Sequence, residues 1–309
     1  MGSFFDFLAA PFGMVMRFIY DHLSFNNYGL AIIVFTAFTR LLMFPLNMKQ
    51  YKNSARMQQI NPQLEDLRKK YGNDKQRLNE ETMKLYQEEK INPMSGCLPL
   101  LIQMPILLSL YRIITGPMKY MLEKTPEQIA IVTEAFREIN EIEGTKLIQE
   151  IEMLNFFRVH PEYFSRVSDV LNRSDLLNMN FLGIDLSRIP SFSPGVIFGA
   201  ERAIYLPLLL IPIIGVVVAY FSTKISMVST QAQTQNNPQA ASMNRTMMLT
   251  GPVMTLIFSF QLPGGVLLYW IAGYGIQIVQ QLFVNKYIFY LYCLIFCFLC
   301  FFYFTFNIF

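Results

Sequence analysis

Five apolar stretches, each close to the length that a helix needs to cross a lipid bilayer, occupy much of this chain. A transmembrane helix requires about 20 mainly apolar residues. The stretches cover residues 28–48, 95–115, 203–222, 247–262 and 264–285. Only 15% of the 309 residues are charged, compared with about 25% in a typical soluble domain. The sequence therefore predicts an all-α polytopic membrane protein with a five-helix transmembrane core.

The charged residues between the apolar stretches predict how the chain is oriented in the membrane. Residues 49–93 contain ten Lys or Arg and seven Asp or Glu, whereas acidic residues outnumber basic ones in residues 116–202. Because basic residues concentrate in cytoplasmic loops, residues 49–93 are expected in the cytoplasm and residues 116–202 outside. The N-terminus is then outside, and the loop at 223–246 is cytoplasmic.

Three segments have the pattern of structure outside the hydrocarbon core. Residues 1–27 place apolar side chains at helical spacing between charges, which predicts an amphipathic helix at the extracytoplasmic membrane interface. A frayed terminal helix is the alternative. Residues 49–93 predict a helical hairpin, because Pro62 favours the start of one helix and Gly72 its end. Residues 116–202 predict a helical extracytoplasmic loop.

Arg40 is the residue from which a function can be argued. It lies well inside the first apolar stretch, where an arginine costs about 2.5 to 3.5 kcal/mol on insertion scales. None of the five stretches contains Asp or Glu, so no counter-ion is evident in them. Arg40 is therefore predicted to face a water-filled cavity. The alternative is that its long side chain snorkels toward Lys49, about 13 Å away along a helix.

Neutral polar residues accompany Arg40 in the apolar stretches. Thr36 lies one turn before Arg40 on the same helix face. Trp270, Tyr274 and Gln277 follow the i, i+4, i+7 spacing of a single helix stripe. The predicted substrate groove consists of Arg40, Thr36, Gln103, Ser109, Trp270, Tyr274 and Gln277. Hydrogen bonding between helices, without a cavity, is the alternative role for these residues.

A groove of this composition has a physical use. One cation and several neutral polar groups would partly solvate a polar or acidic stretch of another chain that enters from the cytoplasm. If the groove also opens sideways to lipid, a hydrophobic segment can move into the bilayer, because burial of its apolar surface is favourable.

Several motifs match one known family. The most specific is residues 92–105, Asn-Pro-Met-Ser-Gly-Cys-Leu-Pro-Leu-Leu-Ile-Gln-Met-Pro, and Arg40 is followed by Phe-Pro-Leu at 44–46. The other matches are residues 72–77, 85–86, 181–186, 262–265, 268–270 and 280–281. With these motifs the chain resembles the YidC membrane protein insertase family, in the short form of Gram-positive bacteria, over about residues 15–286.

The resemblance implies a function, a place in the cell and partners. It implies a bacterial plasma membrane protein with a hydrophilic groove that is closed on the outer side and open to cytoplasm and lipid. Arg40, Gln103 and Trp270 match groove positions of the family. The implied partners are nascent membrane proteins, the ribosome, the Sec translocon and the lipid bilayer. No cofactor, metal or covalent chemistry is expected, and a net charge of +3 predicts no nucleic-acid specificity.

Residues 286–309 depart from the family pattern. The family's soluble basic tail is replaced here by Phe, Tyr, Leu, Ile and Cys, with no charge after Lys286. This hydrophobic tail leaves open whether the chain contacts ribosomes through its C-terminus. A small-solute transporter or an intramembrane protease are the other functions considered. The first lacks evident internal repeats, and the second lacks a His or Asp near Ser109 to activate it.

Overall fold

The chain folds into α-helices and one short β-hairpin in a computed structural model that describes residues 2–92, 98–142, 149–231 and 238–284. The helices are α1 Gly2–His22, α2 Tyr28–Leu42, α3 Phe44–Gln59, α4 Asn61–Tyr71, α5 Lys75–Glu88, α6 Leu98–Thr115, α7 Pro117–Tyr120, α8 Pro126–Ile139, α9 Glu150–Val159, α10 Pro194–Ile197, α11 Arg202–Leu208, α12 Leu210–Gln231, α13 Pro238–Ser259 and α14 Gly264–Val284. Two 3-10 segments, Pro161–Arg166 and Arg173–Asp175, precede the antiparallel strands β1 Asn180–Phe181 and β2 Ile184–Asp185. The predicted all-α polytopic class is confirmed.

Two helical stretches of the described part are long and apolar enough to cross a bilayer, Arg202–Ser226 and Gly264–Val284. Tyr28–Leu42 and Phe44–Asn53 pass the same test when they are taken together. The apolar part of α13, Met248–Ser259, is shorter. The predicted second span begins within residues 93–97, which lie outside the described residues. The number of five spans therefore stays a prediction.

The first predicted span, residues 28–48, is not one straight helix. The structure breaks it at Met43, and α2 and α3 meet at an angle of 55°. Pro45 explains the break, because proline has no N–H to donate to a preceding carbonyl and fits best in the first turn of a new helix. Helix α3 then runs through the predicted boundary at residue 48 and ends at Gln59.

The predicted cytoplasmic loop at 223–246 is also more helical than expected. Helix α12 continues to Gln231, and α13 begins at Pro238, a residue that suits a helix start. Apolar composition identified only the parts of these helices that are hydrophobic enough to contact lipid. Their polar extensions are not apolar and could not be recognised in this way.

The described parts of residues 116–202 are largely helical, as predicted, and pack against the helices of the membrane-spanning stretches. We call the segment from α7 to α10, Pro117–Ile197, the cap. Its buried residues, such as Phe157 and Leu186, share one apolar core with Tyr28 of α2 and Ile114 of α6. The cap also supplies carbonyls to the start of α14, because Gly264 N–H donates to the Arg188 oxygen and Gly265 N–H to the Leu186 oxygen, both at 2.9 Å.

Helix α1 packs against the rest of the molecule and has a second, exposed apolar face. Ala9, Met16 and Ile19 are buried in the common core. The exposed face carries Phe7, Met14 and Phe18. Asp6 fixes the start of the helix through ion pairs with Arg112 and Lys119 and a hydrogen bond from the Tyr120 hydroxyl. A helix with one buried and one exposed apolar face agrees with the predicted position at the membrane interface. That position stays a prediction.

Helices α4 and α5 form the predicted hairpin. Helix α4 has proline in its first turn and ends at Tyr71, directly before Gly72. The Asp74 carboxylate accepts a hydrogen bond from Arg77 N–H at the start of α5. A small apolar cluster of Ile60, Leu64 and Ile91 joins the two helices at their base. Most of the remaining side chains are exposed.

Candidate functional site

Arg40 lies in the last turn of α2, where its guanidinium rests against the backbone of α14. A Cβ atom placed on Gly273 would be 2.9 Å from Arg40 Nη2, so glycine at 273 leaves the room that the guanidinium occupies. Gln280 Nε2 donates a hydrogen bond of 3.2 Å to the Arg40 carbonyl. Within the described residues, no carboxylate oxygen lies within 4.0 Å of the guanidinium.

Polar contacts join the other predicted groove residues to α14. Gln103 Nε2 of α6 donates to the Tyr269 hydroxyl at 2.8 Å. The neighbouring Trp270 packs edge-to-face against Phe258 of α13, with ring centroids 5.9 Å apart. Tyr274, one turn further along α14, has its hydroxyl 3.5 Å from Thr255 Oγ1 of α13. Helix α14 is therefore the element on which the polar contacts of α2, α6 and α13 converge.

Three predicted groove residues have simpler surroundings. Thr36 is fully buried, and its hydroxyl donates to the Ile32 carbonyl one turn earlier in α2. Ser109 is fully buried in α6, a position that does not favour a nucleophile which a substrate must reach. Gln277 is partly exposed on α14. The structure thus brings Arg40, Gln103, Trp270 and Tyr274 to one helix, whereas Thr36 and Ser109 lie in the helix packing.

Sequence reasoning missed three residues of the site. Gly273 carries no chemical group and gave no signal, although it provides the surface on which Arg40 rests. Tyr269 was identified as part of a motif but not as the partner of Gln103. Gln280 is part of a family motif, but the sequence does not identify it as a partner of Arg40. It lies seven residues after Gly273, two turns along the same helix face.

Exposed apolar side chains flank the polar residues. On α2 they include Phe38 and Leu41, and on α6 they include Met104 and Leu108. Neutral hydrogen-bonding groups and one cation therefore lie beside surfaces that only lipid or another apolar chain would cover favourably. Such an arrangement offers polar contacts and an apolar surface to the same bound segment.

The fold and the site define a polytopic helical membrane protein in which Arg40 lies among neutral polar side chains of apolar helices. Residues 18–290 match the 60Kd inner membrane protein family. The chain belongs to this family.

Individual relatives agree with this assignment. A protein of Oceanobacillus iheyensis named membrane protein insertase YidC is 30% identical over 265 residues, which cover 84% of this chain and 75% of the relative. A protein of the same name from Clostridium perfringens is 30% identical over 258 residues, covering 84% and 78% of the two chains.

Some relatives are much longer than the matching region. A YidC insertase of Syntrophus aciditrophicus is 45% identical over 111 residues, and these make up 36% of this chain but only 20% of the relative. The chain thus spans a fifth of such relatives and about three quarters of the shorter ones.

Proposed function

We propose that this protein inserts other proteins into the lipid bilayer. Nascent hydrophobic segments would be received beside Arg40, Gln103, Trp270 and Tyr274 and released sideways into lipid. The observation that carries the proposal is the Arg40 guanidinium, which rests on α14 without a carboxylate within 4.0 Å among the described residues. The names of the relatives support the same activity.

The proposed mechanism lowers a transfer barrier and makes no covalent bond. An arginine in a partly hydrated groove bordered by lipid attracts negative charge more strongly than it would in bulk water. Polar side chains of α6 and α14 would replace part of the water that a translocating segment loses. The hydrophobic part of the substrate would leave over the exposed apolar residues, because each buried methylene group contributes about 0.8 kcal/mol.

The proposed orientation follows the distribution of charge. The α4–α5 hairpin would lie in the cytoplasm and receive substrates there, whereas α1 and the cap would lie outside and close the outer end of the groove. The proposed location is the bacterial plasma membrane. The proposed partners are ribosome-bound nascent chains and the Sec translocon. Residues 286–309, the hydrophobic tail, lie outside the described residues.

The charge of Arg40 is the point at which the proposal can be tested. We expect Arg40→Ala to impair insertion of a substrate with an acidic translocated segment more than insertion of the same substrate with neutral residues. Arg40→Lys should retain most of the activity, because attraction needs the charge and not the planar guanidinium. The measurement is protease protection of the substrate in proteoliposomes that contain each purified variant.

A control separates this effect from a general loss of positive charge. Arg166 is exposed on the cap, so Arg166→Ala should insert both substrates as the wild type does. A photo-crosslinker at Gln103 should label the stalled substrate in the wild type. Equal insertion of acidic and neutral substrates by Arg40→Ala, with unchanged crosslinking, would disprove the electrostatic role.

A further inference from the structure

Two tight turns at the N-terminal end of α2 each have a large apolar residue at a position with positive φ. Ser24–Asn27 is a four-residue turn closed by a 2.9 Å hydrogen bond from Asn27 N–H to the Ser24 carbonyl. Its central residues, Phe25 and Asn26, have φ of 51° and 56°. The β1–β2 turn has Leu182 and Gly183 at its centre, with φ of 53° and 82°. Positive φ at both central residues is the pattern of a type I′ turn.

The first central residue of each turn is unfavourable for the backbone. Type I′ turns prefer Asn, Asp or Gly there, because a side chain branching from a left-handed residue meets the following carbonyl. Here the positions hold Phe25 and Leu182, whose side chains contribute nothing to the core. They are 92% and 86% exposed. The fold thus gains no burial that would offset the strained backbone.

The two turns are held beside each other. Asn27 Nδ2 donates to the Asn180 carbonyl at 2.9 Å, and Tyr28 N–H donates to the Asn178 carbonyl at 3.0 Å. Phe181, the residue before Leu182, packs against Gly29 so closely that a Cβ there would be 2.4 Å from its ring. Phe25 and Leu182 therefore project from one rigid structure at the N-terminal end of α2.

We propose that Phe25 and Leu182 insert into the acyl chains of the leaflet in which α2 begins, and so anchor the cap to the membrane. Helix α2 is part of an apolar stretch that qualifies as a span, which puts its first residue, Tyr28, near the edge of the hydrocarbon. Residues 23–28 and 178–184 carry no charge, so no ionised group has to enter the lipid with the two tips.

Lipid fits this surface better than another protein does. The exposed stripe of α1, Phe7, Met14 and Phe18, precedes Phe25 in the chain, so apolar side chains are exposed both on the helix and on the turn that follows it. Two small apolar tips on strained turns offer a partner protein little area to bury. In a lipid phase, each tip gains from leaving water without needing a complementary surface.

Tryptophan fluorescence in lipid nanodiscs tests the inference with the full chain. Trp270 is the sole native tryptophan, so its wild-type emission can be subtracted from that of Phe25→Trp and Leu182→Trp. We expect lipids brominated on the acyl chain to quench both new residues about twofold or more beyond the control, because an interfacial tryptophan contacts acyl carbons. The matched control is Ile131→Trp, which is exposed on α8 of the cap.

Exposure of the two tips to water would contradict the proposed anchor. Quenching of positions 25 and 182 by aqueous acrylamide, with no more lipid quenching than at 131, would overturn the proposal. A benzoylphenylalanine crosslinker in place of Phe25 gives a second measurement that preserves an aromatic side chain. Lipid adducts after irradiation would support the anchor, whereas adducts with protein, or no adducts, would contradict it.

Discussion

At the scale of single residues, the position of the Arg40 guanidinium depends on a glycine of another helix. The space above Gly273 is filled by Arg40 Nη2, whereas a Cβ on Gly275 would meet nothing within 4 Å. The two glycines are two residues apart on α14 and so face different sides of the helix. They form a matched pair for testing whether the placement of the cation matters as well as its presence.

We predict that Gly273→Ala impairs insertion of acidic substrates while leaving Arg40 intact. The added methyl group would displace the guanidinium by a few tenths of an ångström or more, since the flexible end of the side chain gives way first. The loss should be smaller than that of Arg40→Ala. Protease protection of the substrate measures it. Gly275→Ala is the control, and an equal effect of both alanines would rule out this explanation.

The ion pairs of Asp6 predict that the stability of the protein depends on pH. A hydrogen bond from the Tyr120 hydroxyl, together with the charges of Lys119 and Arg112, lowers the pKa of Asp6 below its ordinary value of 3.8. The folded carboxyl therefore loses its proton more readily than the unfolded one. Its contribution to stability is present above pH 3.8 and is lost as pH falls through the lowered pKa.

We expect Asp6→Asn to lower the free energy of unfolding at neutral pH by about 1 kcal/mol, because partly exposed ion pairs contribute little. The difference from the wild type should shrink as pH falls below the ordinary pKa of aspartate. Thermal unfolding in detergent between acidic and neutral pH measures this. A constant difference across that range would show that Asp6 acts through packing and not through its charge.

At the scale of elements, α1 is held by a close backbone crossing as well as by Asp6. A Cβ on Gly13 would lie 2.0 Å from the Tyr120 carbonyl oxygen of α7. No side chain can rotate out of this clash, because the obstructing atom belongs to the backbone. The absence of a side chain at residue 13 thus determines how near α1 can approach the cap.

We predict that Gly13→Ala destabilises the protein by about 1 to 3 kcal/mol, the usual cost of overpacking. Helix α1 would separate from α7, and its amide protons should exchange with solvent faster than in the wild type. Hydrogen exchange and the midpoint of thermal unfolding give the two measurements. Gly195→Ala is the control, because a Cβ there meets nothing within 4 Å. Equal stability of the two variants would contradict the close crossing.

At the scale of the whole molecule, the cap and the spans form one unit. Buried residues of the cap, α1, α2, α6 and α14 belong to a single apolar core, and carbonyls of the cap accept the first hydrogen bonds of α14. The α4–α5 hairpin has only its own small core. A movement of the cap would therefore disturb the helices, whereas the hairpin can move with little effect on them.

The proposed orientation gives a prediction at this scale. In a variant whose four native cysteines are replaced by serine, Glu134→Cys on the cap should react with a membrane-impermeant thiol reagent added to intact cells. Lys70→Cys on the hairpin should react only after the cells are opened. Both positions are exposed, so burial cannot explain a failure to react. The reverse pattern would invert the proposed topology.

The sequence by itself determined the class of protein and its local elements. The apolar stretches are long enough to span a membrane and carry little charge. Because backbone polar groups in lipid must form hydrogen bonds within the protein, such stretches favour an α-helical membrane protein. Pro62 and Gly72 mark the start and the end of the first hairpin helix through their backbone geometry, and a local pattern is enough to identify them. Arg40 was identifiable because its charge is exceptional among its immediate neighbours.

Only the tertiary structure decided which residues meet. Gln103 and Tyr269 are 166 residues apart, and no local periodicity specifies that α6 packs with α14. Thr36 shares a face with Arg40 in the sequence pattern, yet packing buries it fully. The contact of the Arg40 guanidinium with Gly273 likewise follows from how the helices pack. Periodicity assigns a face to each helix, but contacts between distant segments determine what that face touches.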